Sequence, residues 1–154
     1  MRRCLEKLGL PTLVAHTPDG APFLPESPET AISVSHSALY VAVATAPSSS
    51  PNFGIDIEDV NRPQLLKVAE RFLSDTEMEF VTRHTHGLAK AWTAKEAVFK
   101  AAKHPGVDFR EHIALDFSLT QARFLPGDSV FNLSFNLLFD NQMFCLAEQQ
   151  IYPK

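Results

Sequence analysis

Phe53-Gly54-Ile55-Asp56-Ile57-Glu58 alternates strictly between two kinds of residue. At the strand period of two, Phe53, Ile55 and Ile57 point one way, and Gly54, Asp56 and Glu58 the other. Two residues of strand span ~6.6 Å, so both carboxylates leave one face at a spacing that suits a single hard cation. Aspartate is a poor strand former, and like charges side by side repel. Taken alone, the pair reads equally as the wet side of an acidic edge strand.

The longest helical run, Leu88 to Lys103, bears on that choice. At 100° per residue, Ala91, Ala94, Val98, Ala101 and Ala102 share one face, small enough for close packing on a sheet. Leu88, Trp92, Lys95, Glu96, Phe99 and Lys100 share the opposite arc. The plain reading of that arc is a surface Glu96–Lys100 pair contributing ~0.3–0.5 kcal/mol. A solvated face does not usually carry Trp92 and Phe99, which favours a cleft wall with Glu96 as a third carboxylate. Three carboxylates beside lysines describe a Mg²⁺–phosphate site better than a zinc site, which would use His or Cys.

Around this centre the chain reads as α+β. Pro63 suits a helix start, and Gln64 to Phe72 is helical. Ser74 and Glu77 form a capping box that opens a second short helix through about Arg83. His104-Pro105-Gly106 ends the long helix. Residues 113–117, 121–125, 130–139 and 143–149 read as strands, with Phe131, Phe135, Phe139 and Phe144 in the core. Ala31 to Ala46 holds two strands joined at His36-Ser37-Ala38, and Pro47 to Asn52 is a loop. Helices in the middle and strands at both ends imply an antiparallel sheet packed against the long helix. The expected organisation is one domain over 1–154, with residues 1–30 as an arm or hairpin and 31–150 as the core.

The 154 residues are 45% hydrophobic and 21% charged, as in an ordered globular protein. A net charge of −4 gives no overall nucleic-acid footprint, so an anion site must be a local cluster. No apolar stretch approaches ~20 residues, and the charged start lacks the apolar run of a signal peptide. Two distant cysteines, Cys4 and Cys145, make neither a disulfide framework nor a zinc pattern. The expectation is a cytoplasmic protein with packed thiols. His84 and His86 read as loop residues, and His16, His104 and His112 belong to no constellation.

Gly54-Ile55-Asp56-Ile57-Glu58 and Trp92-Thr93-Ala94-Lys95-Glu96-Ala97-Val98-Phe99-Lys100 resemble the two signatures of the 4′-phosphopantetheinyl transferase superfamily. Those signatures are G-[VI]-D-[IV]-E on a strand and W-x-x-K-E-x-x-x-K on a helix. Ile32 to Ser37 resembles the F-S-x-S-H-S segment of the long, surfactin-synthetase-activating type. Arg71 to Glu77 resembles the R-F-x-S-x-x-E stretch between the signatures. All stand in order, over about residues 20–150.

The resemblance implies transfer of phosphopantetheine from coenzyme A to a serine of an apo acyl or peptidyl carrier protein. Adenosine 3′,5′-bisphosphate is the by-product. It implies Mg²⁺ on Asp56, Glu58 and Glu96, with Lys100 on the pyrophosphate and Lys95 beside it. Ser35 and His36 would touch the 3′-phosphate end of coenzyme A, and Glu96 is the candidate proton acceptor. Arg62 stands six positions beyond Asp56, where short members place a carrier-facing arginine. With Lys67 and Arg71 it makes a basic stripe for an acidic carrier, or else a wet helix face.

Long members of the family have two similar halves, and this chain resembles the second with the tail of the first. Gly20-Ala21-Pro22 stands where the first half has G-K-P, so its lysine is missing; Arg2, Arg3 and Lys7 or a neighbouring subunit would substitute. Short members, of the holo-acyl-carrier-protein synthase type, form homotrimers. A homo-oligomer is therefore expected, a trimer in preference to a dimer. The rivals are a non-catalytic carrier-protein or nucleotide-binding module of the same fold, and another Mg²⁺–pyrophosphate reaction such as hydrolysis.

Overall fold

The computed structural model describes residues 1–151. Short elements open the chain: α1 (Arg2–Lys7), then a small hairpin of β1 (Ala15–His16) and β2 (Pro22–Phe23). A longer hairpin follows, β3 (Thr30–His36) against β4 (Val41–Pro47). The alternating stretch forms β5 (Phe53–Asp59). Three helices come next, α2 (Gln64–Phe72), α3 (Asp75–Val81) and α4 (Gly87–Ala102). One turn of helix, α5 (Phe109–His112), leads into β6 (Ile113–Leu115), β7 (Gln121–Phe124), β8 (Ser129–Leu138) and β9 (Gln142–Gln149).

The fold is mixed α+β. Five strands form one antiparallel sheet in the order β5-β9-β8-β7-β6, and the helical segment carries the chain from one edge to the other. Pairing Gly54 with Ala147 and Asp56 with Cys145 puts the acidic side of β5 on the same face as those small residues. That face is covered by α4, whose Ala91, Ala94, Ala97, Val98 and Ala101 are fully buried against it. A Cβ on Gly54 would stand 2.1 Å from the carbonyl oxygen of Ala97 and 2.8 Å from the nitrogen of Ala101. Only glycine lets strand and helix backbones approach this closely. The acidic strand face is therefore enclosed, and the reading of it as a wet edge does not hold.

The free edge of β5 is covered by side chains. Ile55 N–H donates to Ser33 Oγ at 3.0 Å and Ile57 N–H to Ser35 Oγ at 3.3 Å. Two serines at strand period thus satisfy two edge amides that would otherwise be orphaned.

Several boundaries differ from the sequence reading. The strand that opens at Ile113 stops at Leu115, because Asp116 Oδ1 accepts from the amides of Thr120 and Gln121, each at 2.7 Å, and turns the chain. Phe139 lies in the turn between β8 and β9 and is 74% exposed, so it is not core; its ring meets Tyr40 edge-on at 5.7 Å. Phe131 is buried, while Phe135 packs half-buried on the core. Phe144 is also half-buried, but pairing with Ile57 puts it on the face away from α4. Cys145 is buried with its thiol pushed up by burial and by the Asp56 charge, which leaves it inert; Cys4 is half-buried.

Candidate functional site

Asp56 and Glu58 enter the interface between β5 and α4 with little access to solvent. Lys100 donates from Nζ to Asp56 Oδ1 at 2.8 Å and to the Ile55 carbonyl at 3.1 Å. Ser35 donates to the same Asp56 oxygen at 2.6 Å. Burial nonetheless holds the Asp56 carboxyl above its ordinary range, against the pull of Lys100 and Ser35, and the Glu58 charge adds to the rise. Glu58 is paired with the Arg62 guanidinium, and its other oxygen accepts from Asp59 N–H at 3.0 Å.

Glu96 comes from the facing side of α4. It accepts no hydrogen bond from the described residues. Burial pushes its carboxyl up, and the charges of Asp56 and Glu58 push it further, while Lys100 and Arg62 offset part of that rise. The three carboxylates thus share one electrostatic field. They do not converge: among the described residues no three Asp, Glu, His or Cys side chains stand close enough to ligate one ion. Ion pairs to Lys100 and Arg62 hold two of the three carboxylates expected to carry Mg²⁺. The donor set still fits Mg²⁺, since all three ligands are hard carboxylates and the unpartnered Glu96 sits in excess negative potential.

Two cavities flank this centre. The first, about 580 Å³, lies between Ala21, Pro22, Ile32 and Val34 on one side and Phe99 and Lys100 on the other. Pro22 and Ala21 belong to the segment without the family lysine, and that segment does line the cavity. The second, about 410 Å³, has an apolar floor of Val68, Phe72, Trp92 and Phe109 with Arg62 and Arg71 at its rim. Phe72 meets Trp92 edge-on at 5.1 Å, which fixes the indole in that floor. Asp56 reaches the first cavity through Lys100, and Glu58 reaches the second through Arg62. The acidic strand joins the two.

Three expected coenzyme contacts lie elsewhere. Lys95 is not on the cleft wall: it is fully buried, donating to Glu77 Oε2 at 2.7 Å and to the Phe109 carbonyl at 2.9 Å. Burial lowers its pKa, and Glu77 opposes that shift. Glu77 Oε1 also accepts from Leu115 N–H at 2.8 Å, so the pair ties α3, α4, α5 and β6 together. Both capping-box bonds with Ser74 are present as well. Ser35 is buried on Asp56 and is a positioning residue for that carboxylate, not a wall of the cavity. His36 ends β3, exposed and off the cavity wall.

Arg2 pairs with Glu6 on α1, an exposed contact that leaves it, like Arg3 and Lys7, outside the residues lining the cavity. Lys67 is exposed on α2 and outside the second cavity, so only Arg62 and Arg71 of the basic stripe share a rim. The residues missed from sequence are Ser33, which caps the strand edge, and His16, Lys103 and His104, which line the first cavity. Lys103 is the left-handed residue that ends α4, and its position three residues after Lys100 in the helical run was the available signal.

The sequence model described as the 4′-phosphopantetheinyl transferase superfamily matches residues 52–147. No curated protein matches the chain. Among the described residues no helix is long and apolar enough to cross a membrane.

Proposed function

The chain belongs to the 4′-phosphopantetheinyl transferase superfamily, and on that premise we propose that it moves phosphopantetheine from coenzyme A to a serine of an apo acyl or peptidyl carrier protein. The reaction cleaves the pyrophosphate bond of coenzyme A and forms a phosphodiester with the serine oxygen. The serine proton goes to a base, and adenosine 3′,5′-bisphosphate leaves. The observation that carries this reading is the acidic pair of β5 lying between two cavities, with a lysine on one side and an arginine on the other.

Asp56, Glu58 and Glu96 would hold Mg²⁺, which when bound would neutralise charge on the pyrophosphate oxygens. Lys100 lines the first cavity and offers its ammonium to the leaving phosphate. Ser35 holds Asp56 in place while Lys100 turns from carboxylate to phosphate. Glu96 is the proton acceptor: a carboxyl whose pKa is raised by burial and by two neighbouring acids is a better base than an exposed one. Lys95 holds the helix, not the coenzyme. The protein acts in the cytoplasm as a single-domain chain within a homo-oligomer, a trimer in preference to a dimer. The test is incubation with coenzyme A, Mg²⁺ and a panel of apo carriers from fatty-acid, polyketide and peptide synthesis. One or more carriers should gain the phosphopantetheine mass; a panel left unmodified at high enzyme concentration refutes the reading.

The carrier is expected at the second cavity, whose two rim arginines complement an acidic partner. Arg62 touches Glu58, so its reversal would disturb the acidic centre as well. Arg71 is the cleaner probe. Arg71→Glu should raise KM for the carrier several-fold at low salt, leave coenzyme A affinity unchanged, and flatten the salt dependence of the initial rate. Equal carrier KM values for the two proteins at low salt would make the stripe a solvated helix face.

A further inference from the structure

Each cation that masks the acidic centre also lines a cavity: Lys100 on Asp56 and the first, Arg62 on Glu58 and the second. The Glu58 side is held entirely by its own neighbourhood. One oxygen accepts from the Asp59 amide at 3.0 Å, and the other takes the Arg62 guanidinium four residues on. Both oxygens are therefore engaged by the turn that leads from β5 into α2, and Glu58 does not close with Asp56 and Glu96 on a common point. The Glu58 side chain is 11% exposed, whereas that of Arg62 is 44% exposed and stands at the rim of the second cavity. An ion pair with one half-exposed member is weak, because water screens it and a long side chain must be ordered to make it.

We propose that Arg62 is a positioning residue that couples carrier docking to the cation site: an acidic side chain of the carrier draws the guanidinium off Glu58, and the freed carboxylate joins Asp56 and Glu96. The inference rests on the transferase reading and adds to it the order in which the site assembles. Two competitions produce the coupling. Glu58 serves either the guanidinium or a divalent cation, since two positive charges on one carboxylate repel each other. Arg62 serves either Glu58 or an acid arriving at the second cavity. Each ligand takes away the other's competitor, so each strengthens the other by the same factor. Asp108 also lines this cavity, but its carboxylate accepts from the Arg110 and Glu111 amides and caps α5. Arg71 lines the same cavity and pairs with no acid among the described residues, so it attracts a carrier without any link to Glu58.

The consequence is a site that is complete only when an acceptor is at hand. With coenzyme A bound and no carrier docked, Glu58 stays masked, and the pyrophosphate lacks the full cation site at the moment when water is the only nucleophile present.

The experiment is calorimetric titration of the full chain with Mg²⁺ at constant ionic strength, without and with a saturating carrier. The carrier is one that the chain modifies, with its acceptor serine replaced by alanine, and the carrier alone is the blank. Wild type should bind Mg²⁺ about fivefold or more tightly when the carrier is present. Fluorescence anisotropy of the labelled carrier should show its affinity rising by the same factor when Mg²⁺ is added. Arg62→Gln should bind Mg²⁺ about fivefold more tightly than wild type in the absence of carrier and gain nothing further from it. Arg71→Gln should weaken carrier binding yet keep the wild-type Mg²⁺ affinity and, at saturating carrier, the wild-type gain. A wild-type Mg²⁺ affinity that the carrier leaves unchanged, or a gain that survives in Arg62→Gln, overturns the coupling and leaves the transferase reading standing. A chain that modifies no carrier overturns that reading and the coupling together.

Discussion

Glu96→Gln is expected to fold normally and to lose carrier modification by about a thousandfold, on the scale of deleting one preorganised electrostatic group. Glu96 makes no hydrogen bond with the described residues, so its replacement by the isosteric amide orphans no partner. Removing that charge takes away a cation ligand and the proposed proton acceptor together. Asp56→Asn and Glu58→Gln should also abolish transfer, but each breaks an ion pair, with Lys100 and Arg62 respectively. Those variants therefore need a folding control by circular dichroism. Magnesium binding by calorimetry should weaken in all three, and EDTA should stop the wild-type reaction. A Glu96→Gln chain that modifies carrier at the wild-type rate would remove the residue from the metal and base roles alike.

Gly54→Val should prevent folding or cost at least about 3 kcal/mol, at the severe end of overpacking. The atoms in the way are the backbone oxygen of Ala97 and the backbone nitrogen of Ala101, at 2.1 and 2.8 Å from the new Cβ. Neither can swing aside as a flexible side chain would. Relief requires α4 to move off the sheet, and Ala94, Ala97, Val98 and Ala101 would then lose the packing that buries them. The same movement would carry Glu96 and Lys100 away from Asp56. Chemical denaturation checks this, with Gly54→Ala as the milder partner. A Gly54→Val midpoint within error of wild type would mean that strand and helix are further apart than described.

These two residues also mark what sequence could and could not reveal. The strict alternation of Phe53–Glu58 and the length of α4 are local signals, and both elements stand where periodicity puts them. The Ser74–Glu77 box is local too, and both its bonds are present. The helices of α1 and α5 are too short to display a period; Asp108, whose side chain accepts from the amides of Arg110 and Glu111, was the only sign of the second.

Lys95 shows the limit of a helical wheel. It projects near Glu96, yet its long chain runs into the core because Glu77, on another helix, waits there. An angle on a wheel does not identify a partner distant in sequence. Ser35 is a similar case: parity puts it on one side of β3, but only the tertiary arrangement shows that this side faces Asp56. The pairing of β5 with β9, across the whole helical segment, was likewise outside local reach. Strand alternation and the helix arc singled out Asp56, Glu58 and Glu96 in the sequence, and the structure redistributed the basic residues around them.

A product balance separates group transfer from pyrophosphate hydrolysis most directly. The chain would be incubated with coenzyme A, Mg²⁺ and a carrier that accepts the group, with intact carrier mass and released nucleotide measured in the same samples. The expected result is one adenosine 3′,5′-bisphosphate for each carrier that gains phosphopantetheine, and no nucleotide when the carrier serine is replaced by alanine. Nucleotide released at the same rate without an acceptor serine would contradict transfer as the function of this site.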